Sequence, residues 1–228
     1  MNTTTSLGPK KLVAATAFGL LALFGNAAHA QISTDSLAGW SIVDGDVVSQ
    51  SGAITLTTAY LDGDGDEPFN LSGQSAVDIG VLEGDAGLAP FVGLDVSPEQ
   101  RGTEGSLIGQ SFAATAGDTL SFDWSFSTLE TLFQDRAFVV IDGAVFTLAT
   151  LSAPGAATQN FSYTFAQSGN ATLSFGVIDT VDVLGVSSLS VSNLQLVSAV
   201  PEPATTALML VGLGLVGAAT ARARRRTS

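Results

Sequence analysis

TLSFDWSFS, residues 119–127, alternates without a break. Leu120, Phe122, Trp124 and Phe126 fall on one side, and Ser121, Asp123, Ser125 and Ser127 on the other. Successive side chains of an extended chain point to opposite faces, so this pattern is that of a half-buried antiparallel strand. Burying four large apolar groups at about 25 cal/mol per Å² contributes several kcal/mol before chain entropy is counted. The strand is therefore expected near the centre of its sheet.

Working outward, further strands are predicted at 47–50, 53–60, 77–82, 107–112, 137–142, 144–151, 161–165, 171–178 and 189–197. Asp142-Gly143, set between two apolar runs, is a strong hairpin signal, because a type I′ turn needs positive φ at both central residues. Gly117-Asp118 and Gly169-Asn170 read as turns as well. In the last strand the apolar positions change parity between Leu189/Val191 and Leu194/Leu196, which a bulge at Ser192 or Asn193 reconciles. About ten short strands with almost no helical periodicity predict an all-β antiparallel sandwich, with jelly-roll the favoured topology.

The formal charge of −13 is unevenly distributed. Residues 31–199 carry twenty acids against only Arg101 and Arg136, a net of −18. Phosphate binding needs clustered cations, so nucleic acid is excluded as a partner of this segment. At 169 residues it is the size of one domain able to bury a core. The chain has no cysteine, which removes disulfides, thiol catalysis and thiolate metal sites together.

The two ends read differently. Lys10 and Lys11 precede an apolar run from Leu12 to Phe24, and Ala28-His29-Ala30 supplies the small residues that a signal peptidase reads. Residues 1–30 are thus a predicted secretory signal, and Gln31 the mature start. His29, the single histidine, leaves with it, so a Ser-His-Asp triad is excluded. At the other end Pro201-Glu202-Pro203 is followed by an uncharged run, residues 204–221, and by Arg222, Arg224, Arg225 and Arg226. Eighteen residues of helix reach roughly 27 Å, close to the hydrocarbon core of a bilayer, and arginines beyond such a span favour the cytoplasmic side. The prolines hold Glu202 extended and outside the helix. Gly212, Gly214 and Gly217 spell GxGxxG, but inside an apolar span rather than after a strand, so no dinucleotide site is read from them.

Residues 200–228 resemble the PEP-CTERM sorting signal, with its Pro-Glu-Pro motif, single span and arginine-rich end. The resemblance implies an exported bacterial protein, held by its C-terminal helix in the inner membrane with the body in the periplasm. An exosortase would then process it toward the cell surface or an exopolysaccharide and biofilm matrix. The body, 31–199, resembles lectin-like sandwich domains through Gly39-Trp40, Thr103-Glu104-Gly105, the FDW strand and Phe175-Gly176-Val177. That likeness implies carbohydrate binding without catalysis; a purely structural matrix protein and a glycan-active enzyme are the alternatives.

Candidate site residues are few. Asp62, Asp64 and Asp66, spaced by glycines, can curl oxygens around a hard cation such as Ca2+, although Glu67 and Gly73 stand where an EF-hand needs Gly and Glu. Glu104, Glu130, Asp135, Asp179 and Asp182 lie beside predicted strand ends, where the lectin-like resemblance implies a structural calcium. Trp40 and Tyr60 are the candidates for stacking on sugar rings, whereas Trp124 shares the core face of its strand. Glycoside hydrolysis needs two carboxylates at a set separation, and no pair stands out among twenty acids. The catalytic set is therefore empty.

Overall fold

In the computed structural model, residues 32–61, 63, 65–79, 102–199, 211–216 and 222 are described. The body holds eleven strands: β1 (Ile42–Asp44), β2 (Asp46–Gln50), β3 (Ala53–Thr57), β4 (Val77–Asp78), β5 (Gly102–Ala114), β6 (Thr119–Thr128), β7 (Asp135–Ile141), β8 (Ala144–Leu151), β9 (Gly155–Thr164), β10 (Gly169–Thr180) and β11 (Ser187–Val197). They form two antiparallel sheets. One runs β1-β5-β10-β7-β8 with β4 added to β5, and the other β2-β3-β11-β6-β9. The pairs β3–β11, β5–β10, β6–β9 and β7–β8 are nested, each inside the last, and alternate between the sheets. That nesting is the wrapping of a jelly roll.

The alternation in β6 is what holds the sheets together. Leu120, Phe122, Trp124 and Phe126 are buried between them, while Ser121, Asp123, Ser125 and Ser127 face outward. The Phe122 ring stacks on Phe161 of β9 at 5.0 Å and meets Phe175 of β10, in the opposite sheet, edge-on at 4.8 Å. Paired with β11 on one side and β9 on the other, β6 is an interior strand, as expected. The first sheet is covered on its outer face too. Leu107, Phe138, Val140 and Ile178 form a smaller cluster there, with Val77 and Ile79 packed against it. Covered on both faces, β7 is buried almost throughout.

Turn chemistry follows the sequence in places. Asp142 and Gly143 have φ of 51° and 78°, as a type I′ hairpin requires. The β11 register shifts between Ser192 and Gln195, with Asn193 at φ 51°, which is the expected bulge. Gly169-Asn170 is not a turn but the start of β10, paired with Ala114 and Ala113. Strand β9 begins at Gly155, six residues before the predicted 161, and its first half, GAATQN, has no large apolar residue to mark it in the sequence. Ser51-Gly52, with φ of 55° and 80°, makes a second positive-φ hairpin that the sequence reading passed over. The predicted strand 77–82 is described only as far as 79.

The signal peptide, Pro201 to Pro203 and Arg224 to Arg226 lie outside the described residues. Of the expected span, residues 211–216 are helical and exposed, as is Arg222. Among the described residues no helix is long and apolar enough to cross a membrane.

Phe122→Ala is expected to lower unfolding free energy by about 3–5 kcal/mol in urea denaturation, the range for a buried aromatic truncated without collapse of its surroundings. A loss under about 1 kcal/mol would show that the sheets are not joined through this ring.

Candidate functional site

Five acids converge on one end of the sandwich, where β6 and β10 end and β5, β7 and β11 begin. Asp135 opens β7 and Asp179 is one residue from the end of β10; both side chains are 0% exposed. Asp135 is supplied with donors. Its Oδ2 accepts from the Ser187 hydroxyl at 2.7 Å and the Thr128 hydroxyl at 3.0 Å, and its Oδ1 from the Thr180 amide at 3.4 Å. Asp179 is not. Neither of its oxygens makes a hydrogen bond of normal geometry among the described residues, although Thr58 and Asp135 lie close enough to act on it. Burial pushes the Asp135 carboxyl up to about 6, against the pull of the Ser187 and Thr128 hydroxyls. Burial, and then the charge of Asp135, push Asp179 up to about 11. At neutral pH Asp179 is therefore a protonated acid beside a carboxylate.

The other three acids fringe this pair. Glu104, buried on β5, acts on Asp179 through its charge. Glu130, also buried, accepts the backbone amides of Thr131, Leu132 and Phe133 at Oε1, closing the β6–β7 loop on itself. Asp182 is raised by partial burial and by the Glu130 charge. The β10–β11 loop that carries Asp182 is clamped down. Thr103 Oγ1 donates to the Asp179 carbonyl at 3.2 Å and to the Asp182 carbonyl at 2.5 Å. Between them Val181 sits at φ 77°, a left-handed conformation that costs a β-branched residue of order 1–3 kcal/mol. Gly185 lets this loop lie on the next one, since a Cβ there would be 3.0 Å from the Glu130 backbone.

The loop from β3 to β4 folds over the same end. Thr58 N donates to the Ser187 carbonyl at 3.0 Å, and Ser187 N to the Thr58 hydroxyl at 2.9 Å. Asp46, fully buried at the start of β2, holds the far part of that loop by accepting Leu71 N at 2.9 Å, Ser72 N at 2.6 Å and the Thr57 hydroxyl. Asp46 was missed from sequence, yet an acid leading directly into Val47-Val48 is a visible signal of a buried carboxylate with backbone partners. Asp66 is buried ahead of a 3₁₀ turn at Glu67–Phe69, and Asp62 and Asp64 lie outside the described residues. Glu104 and Asp179 are brought together. Even so, no three acids are gathered as a metal-ligand set among the described residues, whereas calcium takes six to eight oxygens.

Trp40 does not present a sugar-stacking face. It is 8% exposed, its Nε1 donates to the Ser33 carbonyl at 3.2 Å, and its ring tilts against Phe175 at 6.0 Å, so it belongs to the core. Tyr60, just beyond β3, is half-buried, and Trp124 is in the core as expected. Elsewhere on the body, the outer face of the second sheet is a field of small polar groups. Thr55, Ser190, Ser125 and Thr158 stand in one row across four strands, and Ala53, Ser192, Asp123 and Asn160 in the next. Asp123 accepts from Asn193 at 2.7 Å and Asn160 at 3.0 Å, which keep it ionised and fixed. At the end away from the acids, a cavity of about 150 Å³ lies between Phe165, Ser168 and Asn170, well under the roughly 300 Å³ of an ordinary small-molecule pocket.

The chain leaves the body at that same end. Asp118 Oδ1 accepts Ala199 N at 2.9 Å while its Oδ2 holds Thr115 N at 2.8 Å, so the segment just beyond β11 is tied to the β5–β6 turn. From this anchor onward the chain carries a known signal. Residues 199–226 match the PEP-CTERM protein-sorting motif. The motif marks an exported protein sorted by exosortase. No curated protein matches the chain. Among solved structures the body is similar to a CBM4 carbohydrate-binding module, at 13% identity over 71% of this chain and 95% of that one, TM-score 0.33. It is similar also to the N-terminal cellulose-binding domain of Cellulomonas fimi β-1,4-glucanase C, at 15% identity over 74% and 94%, TM-score 0.34. A third likeness is to TmCBM61, solved with β-1,4-galactotriose, at 11% identity over 73% and 92%, TM-score 0.34. At such identities the likeness concerns fold alone.

Asp135 and Asp179 both titrate above their unfolded values, so the folded protein holds extra protons between about pH 4 and the raised pKa values. Their stabilisation is complete below about pH 4 and is lost as pH rises, first through 6 for Asp135 and, for Asp179, toward 11. Asp179→Asn is therefore expected to gain stability relative to the wild type as pH is raised from 4 to 8 in chelator, measured by urea unfolding. A variant that instead loses ground as pH rises would mean that Asp179 is ionised in the folded protein and favoured in that form by its surroundings.

Proposed function

We propose that this is a non-catalytic surface or matrix protein, held in the inner membrane by its tail until an exosortase acts near Pro201-Glu202-Pro203. Its jelly-roll body is then delivered to extracellular polysaccharide. The observation that carries this reading is the sorting motif, beginning two residues after β11 ends, with Ala199 pinned by Asp118. The proposed cut would then fall a few residues beyond the last anchored residue of the body.

Binding of a neutral polysaccharide is supported by the outer face of the second sheet. Rows of serine, threonine and asparagine offer hydrogen-bond donors and acceptors at the strand spacing of about 4.8 Å. A flat face that replaces ordered water with sugar hydroxyls binds through many weak contacts rather than one pocket.

Removing residues 200–228 is expected to move the protein from the envelope or matrix to the medium or periplasm, read by cell fractionation; an unchanged distribution would end the sorting reading. Ser125→Glu with Ser190→Glu is expected to abolish retention of the processed protein on the producing cell's polysaccharide while its circular dichroism is preserved. Equal retention would remove the second sheet's outer face as the contact.

A further inference from the structure

Sheet edges are templates for pairing with another chain, and folded proteins blunt them with short strands, charges, proline or bulges. Three edges of this sandwich are blunted. In the first sheet, β1 and β4 are three and two residues long, and β8 carries a bulge, since Ala149 and Thr147 face the consecutive residues Ala137 and Phe138 of β7. In the second, β2 is five residues long and begins with an aspartate. The fourth edge is β9. Its ten residues, GAATQNFSYT, pair with β6 position for position without a register shift, and contain neither charge nor proline. Among the described residues no strand pairs with its free side.

We propose that β9 is the edge through which two copies of this chain join, strand antiparallel to strand, fusing their second sheets across a two-fold axis. Charge decides the occupant. A body of net −18 repels its own copies over most of its surface, but residues 143–178 contain no Asp, Glu, Lys, Arg or His. This uncharged stretch comprises all of β8 and β9 and most of β10. A second copy meeting β9 along β9 brings no like charges opposite each other; a strand set against itself places only Ala, Thr, Asn and Ser in the outer row. The inner row adds an apolar reason. Phe161 and Tyr163 of β9, with Phe146 of β8 packed against both, are only half-buried, so the core is incompletely covered along this seam. Pairing continues the backbone ladder and covers that seam in one step.

The inference goes beyond the sorting reading and does not depend on it. Because the chain has no cysteine, single cysteines report on it directly. Ala156→Cys, Thr158→Cys, Ser162→Cys and Thr164→Cys place a thiol along the outer row of β9, and Gln50→Cys on the edge strand β2 is the control. In the producing cells, mild oxidation of the full-length gene product's variants is expected to give a disulfide-linked species of twice the mass of the monomer in the same sample. Its yield should peak at one or two neighbouring β9 positions, fall away on either side, and be absent for Gln50→Cys. Adding Lys at two of the other positions, such as Thr158→Lys and Ser162→Lys beside Ala156→Cys or Thr164→Cys, is expected to cut the yield about tenfold through like-charge repulsion. No dimer at any β9 position, a dimer equally strong at Gln50→Cys, or an adduct of another mass would each overturn the proposal, the last by showing a different protein on this edge.

Discussion

The body depends on the meeting of the two sheets' inner faces, where Phe122 of β6 meets Phe175 of β10 edge-on. Two antiparallel sheets have no reason to stack unless each presents a continuous apolar face, and β6 supplies the most regular one, an unbroken alternation of large apolar and small polar residues. Phe122 is also stacked on Phe161 of the edge strand β9, so the same ring couples the centre of the core to its margin.

How much of this was legible depended on how strictly each segment obeys one periodicity. β6, the Asp142-Gly143 hairpin and the parity change in β11 could be read because core, turn and bulge each leave a local mark. The first half of β9 could not, since an edge strand exposed on both faces has no apolar alternation to show. Trp40 looked like a sugar-binding aromatic because sequence does not reveal that Ser33 and Phe175 would enclose it. The acids were legible as types but not as partners. Glu104 and Asp179 were named from their positions near strand ends, while the closeness of Asp135 to Asp179 comes from the register that lays β7 beside β10. That register joins residues more than forty positions apart, and nothing local announces it.

The buried acid pair and the strained Val181 belong to the same end, and neither favours folding at neutral pH. They persist because the surrounding loops are over-determined: Thr103 clamps one, Glu130 closes the next on its own amides, and Asp46 pins a third. The opposite end is built differently, from the Asp118 anchor and short hairpin turns with Ser51 and Asp142 at positive φ, and holds no buried acid pair among the described residues. The sandwich thus has two unlike poles.

The anchoring of Ala199 by Asp118 gives that polarity a direction. β11 runs its eleven residues from the acid pole to the exit point, a distance of roughly 35 Å. The acid pole is thus the part of the body farthest from the exit point, and the hydroxyl face of the second sheet lies along the side between the two.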